Sequence, residues 1–179
     1  MIDIITSDTA FAALAPCWNA LADRMSARSV FLRHEWFAAA WAWRRLDSAL
    51  HALVLRDGDR VVGILPLVYS QAVGPAGGLG LLTVPDTQCC DMICAPADAG
   101  RVAEAFARDL AGNARWTALD LDFLPPAGPC AQALLPALQD LGCRVAERRR
   151  DRNLFIALHG SWNEYFVTRS RSLKKKLNL

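Results

Sequence analysis

Hydrophobic positions change their period several times along the chain, and each change predicts a new element. Ile2 to Thr6 reads as a short strand, and Ser7 and Asp8 can cap the stretch that follows. There Phe11, Leu14, Trp18 and Leu21 recur three or four residues apart, the spacing of one helix face, and Pro16 divides the stretch into two helical pieces. A second helix fits His34 to Leu46, where Trp36, Ala39, Ala40 and Trp43 share a face without an intervening Gly or Pro. Leu50 to Arg56 and Arg60 to Tyr69 are β-rich runs joined by Asp57-Gly58-Asp59, which predicts a hairpin. The run Gly74 to Gly80 then breaks the pattern. Leu81 to Val84 and Met92 to Cys94 are short strand candidates on either side of a polar loop, Asp86-Thr87-Gln88-Cys89-Cys90-Asp91.

The second half alternates in the same way. Asp98 opens a helix to Ala111, ended by Gly112-Asn113, and Trp116 to Phe123 alternates Leu119, Leu121 and Phe123 with Asp120 and Asp122, the pattern of a half-buried strand stopped by Pro125-Pro126. Pro129 to Leu141 is predicted helical with a kink at Pro136, and Arg144 to Arg150 and Asn153 to Leu158 as strands. Ser161-Trp162-Asn163-Glu164 is a capping box opening a helix predicted to run through the last residue. The order predicts an α/β (α+β) fold, a mixed sheet with helices on both faces.

Composition narrows the class. At 179 residues, 53% hydrophobic and 21% charged, the chain suits one compact domain, or one domain and the start of another, and sets aside disorder and disulfide-dense mini-folds. The net charge of +2 conceals an asymmetry: residues 1–143 carry ten basic and fifteen acidic side chains, residues 144–179 ten and three, so a body of −5 precedes a tail of +7. No stretch approaches the ~20 apolar residues of a membrane span, and MIDIITSD lacks the basic start of a signal peptide, which together point to the cytoplasm. The six cysteines form no CxxC pair and have no His at finger-like spacing, so no metal site is expected and the thiols read as reduced core filler. His34, His51 and His159 are isolated, which gives no nucleophile and base pairing.

Asp86 and Asp91 flank the polar loop at strand ends, where one of them could hold or deprotonate an acceptor amine or hydroxyl; the competing reading is turn chemistry after Pro85. Glu35 is either a ligand-binding carboxylate or an acid complementing the first turn of its helix. Arg144, Arg148, Arg149, Arg150, Arg152, Arg169 and Arg171 form, with Lys174, Lys175 and Lys176, a basic region suited to an anionic partner or to plain solvation. For nucleic acid there is no finger, RNP-like strand or helix-turn-helix signature.

A string of spaced features covers nearly the whole chain: Trp18 with Leu21; Phe31 with His34-Glu35-Trp36-Phe37 and Trp41; the hairpin Asp57 to Leu67; Leu79-Gly80 leading to Asp86 and Asp91; Leu119-Asp120-Leu121 before Pro125; and Ser161-Trp162-Asn163-Glu164-Tyr165 before an Arg/Lys-rich helix. In order and spacing these resemble the CelD/BcsL-type acetyltransferases of the GNAT superfamily, whose architecture is similar to the Fem-type peptidyl transferases with two GNAT-like units in tandem. The resemblance implies a GNAT-like, largely antiparallel mixed sheet. It divides the chain into an N-terminal unit, 1–152, and a strand plus basic helix, 153–179, that begins a truncated second unit.

It also implies an acyltransferase that moves an acyl group from acetyl-CoA or another acyl-CoA to a small-molecule, sugar or peptide acceptor. This half would contribute the acceptor surface and pack against its own C-terminal GNAT unit, and would be inactive alone. Asp86 and Asp91 are then the catalytic candidates, and Glu35, Trp36, Gln88, Arg171, Lys174 and Lys175 the substrate-binding ones. The acyl donor is expected mainly on the missing half, because a GNAT unit grips the pyrophosphate on the amides of a Gly-rich turn before a helix. Here Pro96 lacks an N–H and Asp98 puts a carboxylate where phosphates should lie. Gln71 to Ala76 matches the Gly-rich pattern, making Gly74 and Gly77 the weak cofactor candidates, but no helix start follows. The alternative is a non-catalytic module that docks an anionic partner through its basic C-terminal helix.

Overall fold

Two four-stranded sheets share one long hairpin, and Pro66 separates them. The computed structural model describes residues 1–113, 116–148 and 160–177, and contacts divide the chain into two units, Met1–Val145 and Ala146–Leu179. In the first unit, β1 (Ile2–Ile5) precedes α1 (Asp8–Ala13), α2 (Ala15–Ala22) and α3 (His34–Arg44). The hairpin follows as β2 (Ser48–Leu50), β3 (Ala52–Asp57), β4 (Arg60–Leu65) and β5 (Leu67–Ser70), then β6 (Gly78–Leu81) and β7 (Ile93–Cys94). Helix α4 (Ala99–Gly112), strand β8 (Leu119–Asp120) and helix α5 (Leu135–Asp140) complete it. The strand orders are β1-β3-β4-β7 and β2-β5-β6-β8, antiparallel throughout except for the parallel pair β6 and β8. The fold is thus mixed α+β, as the alternation of elements predicts, with largely antiparallel strands that form two sheets in place of the expected one.

The division into two sheets has a local cause. Pro66 has no N–H to give to the ladder, so β4 and β5 part there. The joint holds through neighbours: His51 N–H donates to Leu67 O at 3.0 Å and Leu82 N–H to Pro66 O at 2.8 Å. On β4, Val61 to Leu65 are all buried; alternate residues face opposite ways, so both faces of the strand are covered. Helix α4 covers one face, where Gly63 lies so close to Val102 that any Cβ would overlap it, and α2 packs on β4 and β7.

The N-terminal helices are held by an aromatic cluster around the fully buried Trp18. Its indole N–H donates to Leu32 O at 3.0 Å, and its ring meets Phe11 edge-on at 5.7 Å and Phe37 at 4.9 Å. Buried His34 joins the cluster, its Nε2 3.0 Å from Phe11 O; since a carbonyl only accepts, this nitrogen carries the proton.

Several features depart from the sequence pattern, among them the strand expected over Leu81 to Val84, of which only Leu81 is in a strand. The glycines 78 and 80, expected to end regular structure, lie inside buried β6, because a Cβ on Gly78 would overlap the Ala118 carbonyl across the sheet. The strand expected over Trp116 to Phe123 is reduced to Leu119–Asp120, and Phe123 takes the left-handed conformation at φ 60°. Pro136 does not simply kink its helix: a π-helical turn, Cys130–Leu134, precedes α5, and Pro136 falls in the first turn of α5, where a missing N–H costs little. Arg144 to Arg148 is not a strand, while the rest of that expected strand and Asn153 to Leu158 lie outside the described residues.

In the second unit the capping box forms as the sequence predicts, with Ser161 and Glu164 capping each other over α6 (Trp162–Val167). The helix does not continue unbroken. It stops at Thr168, and α7 (Arg171–Leu177) begins anew after Ser170, whose hydroxyl accepts from Leu173 N–H at 3.3 Å. Arg169 lies over the Tyr165 ring at 4.4 Å and Lys174 over Phe166 at 5.7 Å, while Trp162 remains 58% exposed.

Candidate functional site

Helix α3 presents Trp36, Ala39, Ala40 and Trp43 at helical spacing, and the turn after β6 brings Val84, Pro85 and Asp86 against them. Between these walls lies a groove of about 290 Å³. Its lining is apolar except for Asp86, whose exposed carboxylate makes no hydrogen bond or ion pair among the described residues. Trp43 is 71% exposed at the rim. Trp36 packs edge-on against Phe31 at 4.5 Å, and its indole N–H is buried without an acceptor among the described residues. A buried donor left in that state costs roughly 1–3 kcal/mol. By contrast Trp41 is satisfied, donating to Asp8 Oδ1 at 2.9 Å.

The groove joins two residues that sequence reasoning singled out separately, Trp36 and Asp86, fifty positions apart. It does not take in the others. Glu35 is exposed in the first turn of α3, and its own backbone N–H, the Asn19 amide at 2.7 Å and Arg33 hold its pKa below the usual carboxylate range. An acid at that position complements the helix dipole. Gln88 is exposed on the loop outside the groove. Arg171 and Lys175 are exposed on α7 in the second unit, and Lys174 donates to Val167 O at 2.9 Å.

Asp91 occupies the opposite environment. It is 1% exposed; its Oδ1 accepts from the N–H groups of Met92 and Cys130, both at 2.8 Å, and its Oδ2 has no hydrogen-bond partner among the described residues. The bond to Cys130 pins the loop to the N-terminal end of the π-helical turn, 39 residues away. Burial raises the Asp91 pKa, against the lowering effect of the Cys130 thiol and the two amides. No Cβ fits at Gly128, where it would run into Oδ2. The surrounding thiols respond to the same burial and to the Asp91 charge: Cys89 is pushed up to about 11, Cys94 to about 12, and Cys90 and Cys130 well above the ordinary thiol value. Such thiols are inert as nucleophiles near neutral pH. Among the described residues no His, Cys, Asp and Glu converge in threes as metal ligands.

At both stretches considered as phosphate cradles the chain's own side chains stand close. The start of α4 has no side-chain cap, and its flanking Asp98 directs a carboxylate to Arg101 at 3.2 Å. Gly74 and Gly77 take positive φ, 70° and 81°, in a turn that is already filled: a Cβ at Gly77 would strike the Tyr69 hydroxyl, which donates to Ala76 O at 3.3 Å, and one at Gly74 would crowd Ala118. These glycines answer to close packing.

A second depression of about 190 Å³ lies over the β5 and β6 face, lined by Arg44, Ser70, Thr83, Asp120 and Asp122 among others. Arg44 is tied there to Thr83 O at 3.1 Å and to Ser48 Oγ at 2.9 Å. Sequence reasoning missed Arg44 because nothing in the sequence separates it from a solvated helix end.

The fold and groove define a mixed α+β protein with an apolar cleft carrying a single carboxylate. Comparison with protein-family models, with curated proteins and with solved structures finds no match for this chain. No helix among the described residues is long and apolar enough to cross a membrane.

Proposed function

We propose that this chain is the acceptor-binding unit of a GNAT-type acyltransferase, with the acyl-CoA donor held mainly by a second GNAT unit. The observation that carries the reading is the groove in which Trp36 and Asp86, two residues of the family-like pattern, meet across fifty positions of sequence. The largely antiparallel sheet with helices on both faces of β4 supports it, as do the side chains standing close at both stretches considered as phosphate cradles. In this reading the indoles and Pro85 exclude water from the acceptor, and the Asp86 carboxylate orients its amine or hydroxyl and takes its proton as the new acyl–N or acyl–O bond forms, the thioester C–S bond breaks and the CoA thiolate leaves. Asp91 serves here as a positioning residue, an anchor of the loop that carries Asp86.

The test is acyl transfer by the natural gene product. Asp86→Asn should lower kcat/KM for the acceptor by about tenfold or more and leave the KM for acetyl-CoA unchanged. Unaltered turnover in the variant would remove the groove from the reaction, and a protein that transfers no acyl group would remove the reading. Titration of acetyl-CoA into the 179-residue chain should show no saturable binding; micromolar affinity there would overturn the division between units.

The second reading, docking of an anionic partner, draws on α7, where Arg171 and Lys175 are exposed and the only acid nearby in the unit's helices, Glu164, is bound up with Ser161. Partner binding that collapses with salt and ignores acyl-CoA would favour it.

A further inference from the structure

We propose that the Trp36, Trp43 and Asp86 groove selects a ligand that joins one ammonium group to an apolar ring or chain. The proposal rests on the acceptor-site reading for its biological use, and on the groove alone for its chemistry. Six of the seven lining residues are apolar or aromatic, no basic residue lines it, and Asp86 is the one charge. An anionic acceptor would meet no counter-charge and would face that carboxylate. A polyhydroxylated sugar would press hydroxyls against Val84, Pro85 and the alanines without partners, at a desolvation cost. An organic ammonium ion meets the opposite case on every count: its apolar body lies on the indoles, its charge lies beside Asp86, and the exposed Trp43 ring offers its negative face to a cation. At about 290 Å³ the groove has room for an arylalkylamine.

The experiment titrates 2-phenylethylamine, 2-phenylethanol and 3-phenylpropionate into the 179-residue chain at low salt, without any acyl donor, and follows the indole N–H signals of Trp36 and Trp43 by NMR. The amine should move both signals saturably, with a Kd about threefold to tenfold below that of the alcohol, and the propionate should not saturate. Asp86→Asn should bring the amine to the alcohol's Kd, and Trp43→Ala should weaken both ligands; each variant's thermal unfolding checks that it is folded. Propionate binding as tight as the amine's, an amine preference that survives in Asp86→Asn, or no saturable shift at either indole overturns the proposal. Amine selectivity in a protein that transfers no acyl group would sink the transferase reading and leave this site standing. Acyl transfer without amine selectivity would do the reverse.

Discussion

Asp86 and Asp91 stand five residues apart on one loop and differ in nearly everything that decides what a carboxylate does. Asp86 is exposed at the mouth of an apolar groove, with no partner among the described residues; Asp91 is sealed in the core, where two backbone amides share one of its oxygens. One is available to a ligand. The other fastens the loop to a segment 39 residues further on. The lesson is that a polar loop at a strand end can divide its labour, with one acid positioning the backbone from below and its neighbour facing the solvent.

The largest expected effect in this pair comes from Asp91→Ala, which leaves two buried N–H groups without acceptors and should cost about 3 kcal/mol in urea unfolding. Asp86→Ala should stay within about 0.5 kcal/mol, as exposed sites away from special features do. Equal losses would erase the distinction. Next is Gly128→Ala, whose methyl would collide with Asp91 Oδ2 and should destabilise by about 2 kcal/mol, read as a drop in Tm. A neutral result would mean that the carboxyl can move aside.

The pH dependence of stability sharpens the comparison further. Burial raises the folded-state pKa of Asp91 above its ordinary 3.8, so the folded chain holds this proton more tightly than the unfolded one. Its contribution therefore favours the fold at low pH and declines as pH rises from about 3.8 through the raised value. Asp91→Asn keeps an acceptor for both amides and loses the titration, so wild type should lose stability relative to this variant over that window. A constant difference, or one of opposite sign, would contradict the environment described for Asp91. The smallest effect is expected at Trp43→Ala, whose exposed ring should contribute less than about 0.5 kcal/mol to folding; a larger loss in Tm would make it part of the core.

Much of this fold was legible because local signals agreed with it. Asp57-Gly58-Asp59 made its hairpin with Gly58 at φ 58°, the stop at Gly112-Asn113 matched the end of α4, and Ser161 with Glu164 formed the reciprocal cap. Where the reading failed, a distant contact outweighed local propensity. Gly78 and Gly80 look like strand breakers, yet the carbonyl of Ala118 leaves room for nothing larger at Gly78. The break at Pro66 was visible as a proline but not as a boundary between sheets, since that depends on what its neighbours pair with. The two aspartates could be found and not told apart, because their burial is decided by residues such as Gly128 and Cys130, far along the chain. The tryptophans at helical spacing meet different fates: Trp18 is core, whereas Trp43 and Trp162 are largely exposed, and periodicity alone does not say which turn of a helix the rest of the protein covers.

The most direct measurement takes the Asp86→Asn and Asp91→Asn variants together and records, for each, the urea midpoint and the Kd for 2-phenylethylamine. Asp86→Asn should leave the midpoint in place and weaken the amine several-fold, while Asp91→Asn should shift the midpoint and, wherever the chain is folded, bind the amine as wild type does. An Asp86 variant that unfolds early and keeps its affinity would contradict the assignment of the groove to a ligand and the buried acid to the fold.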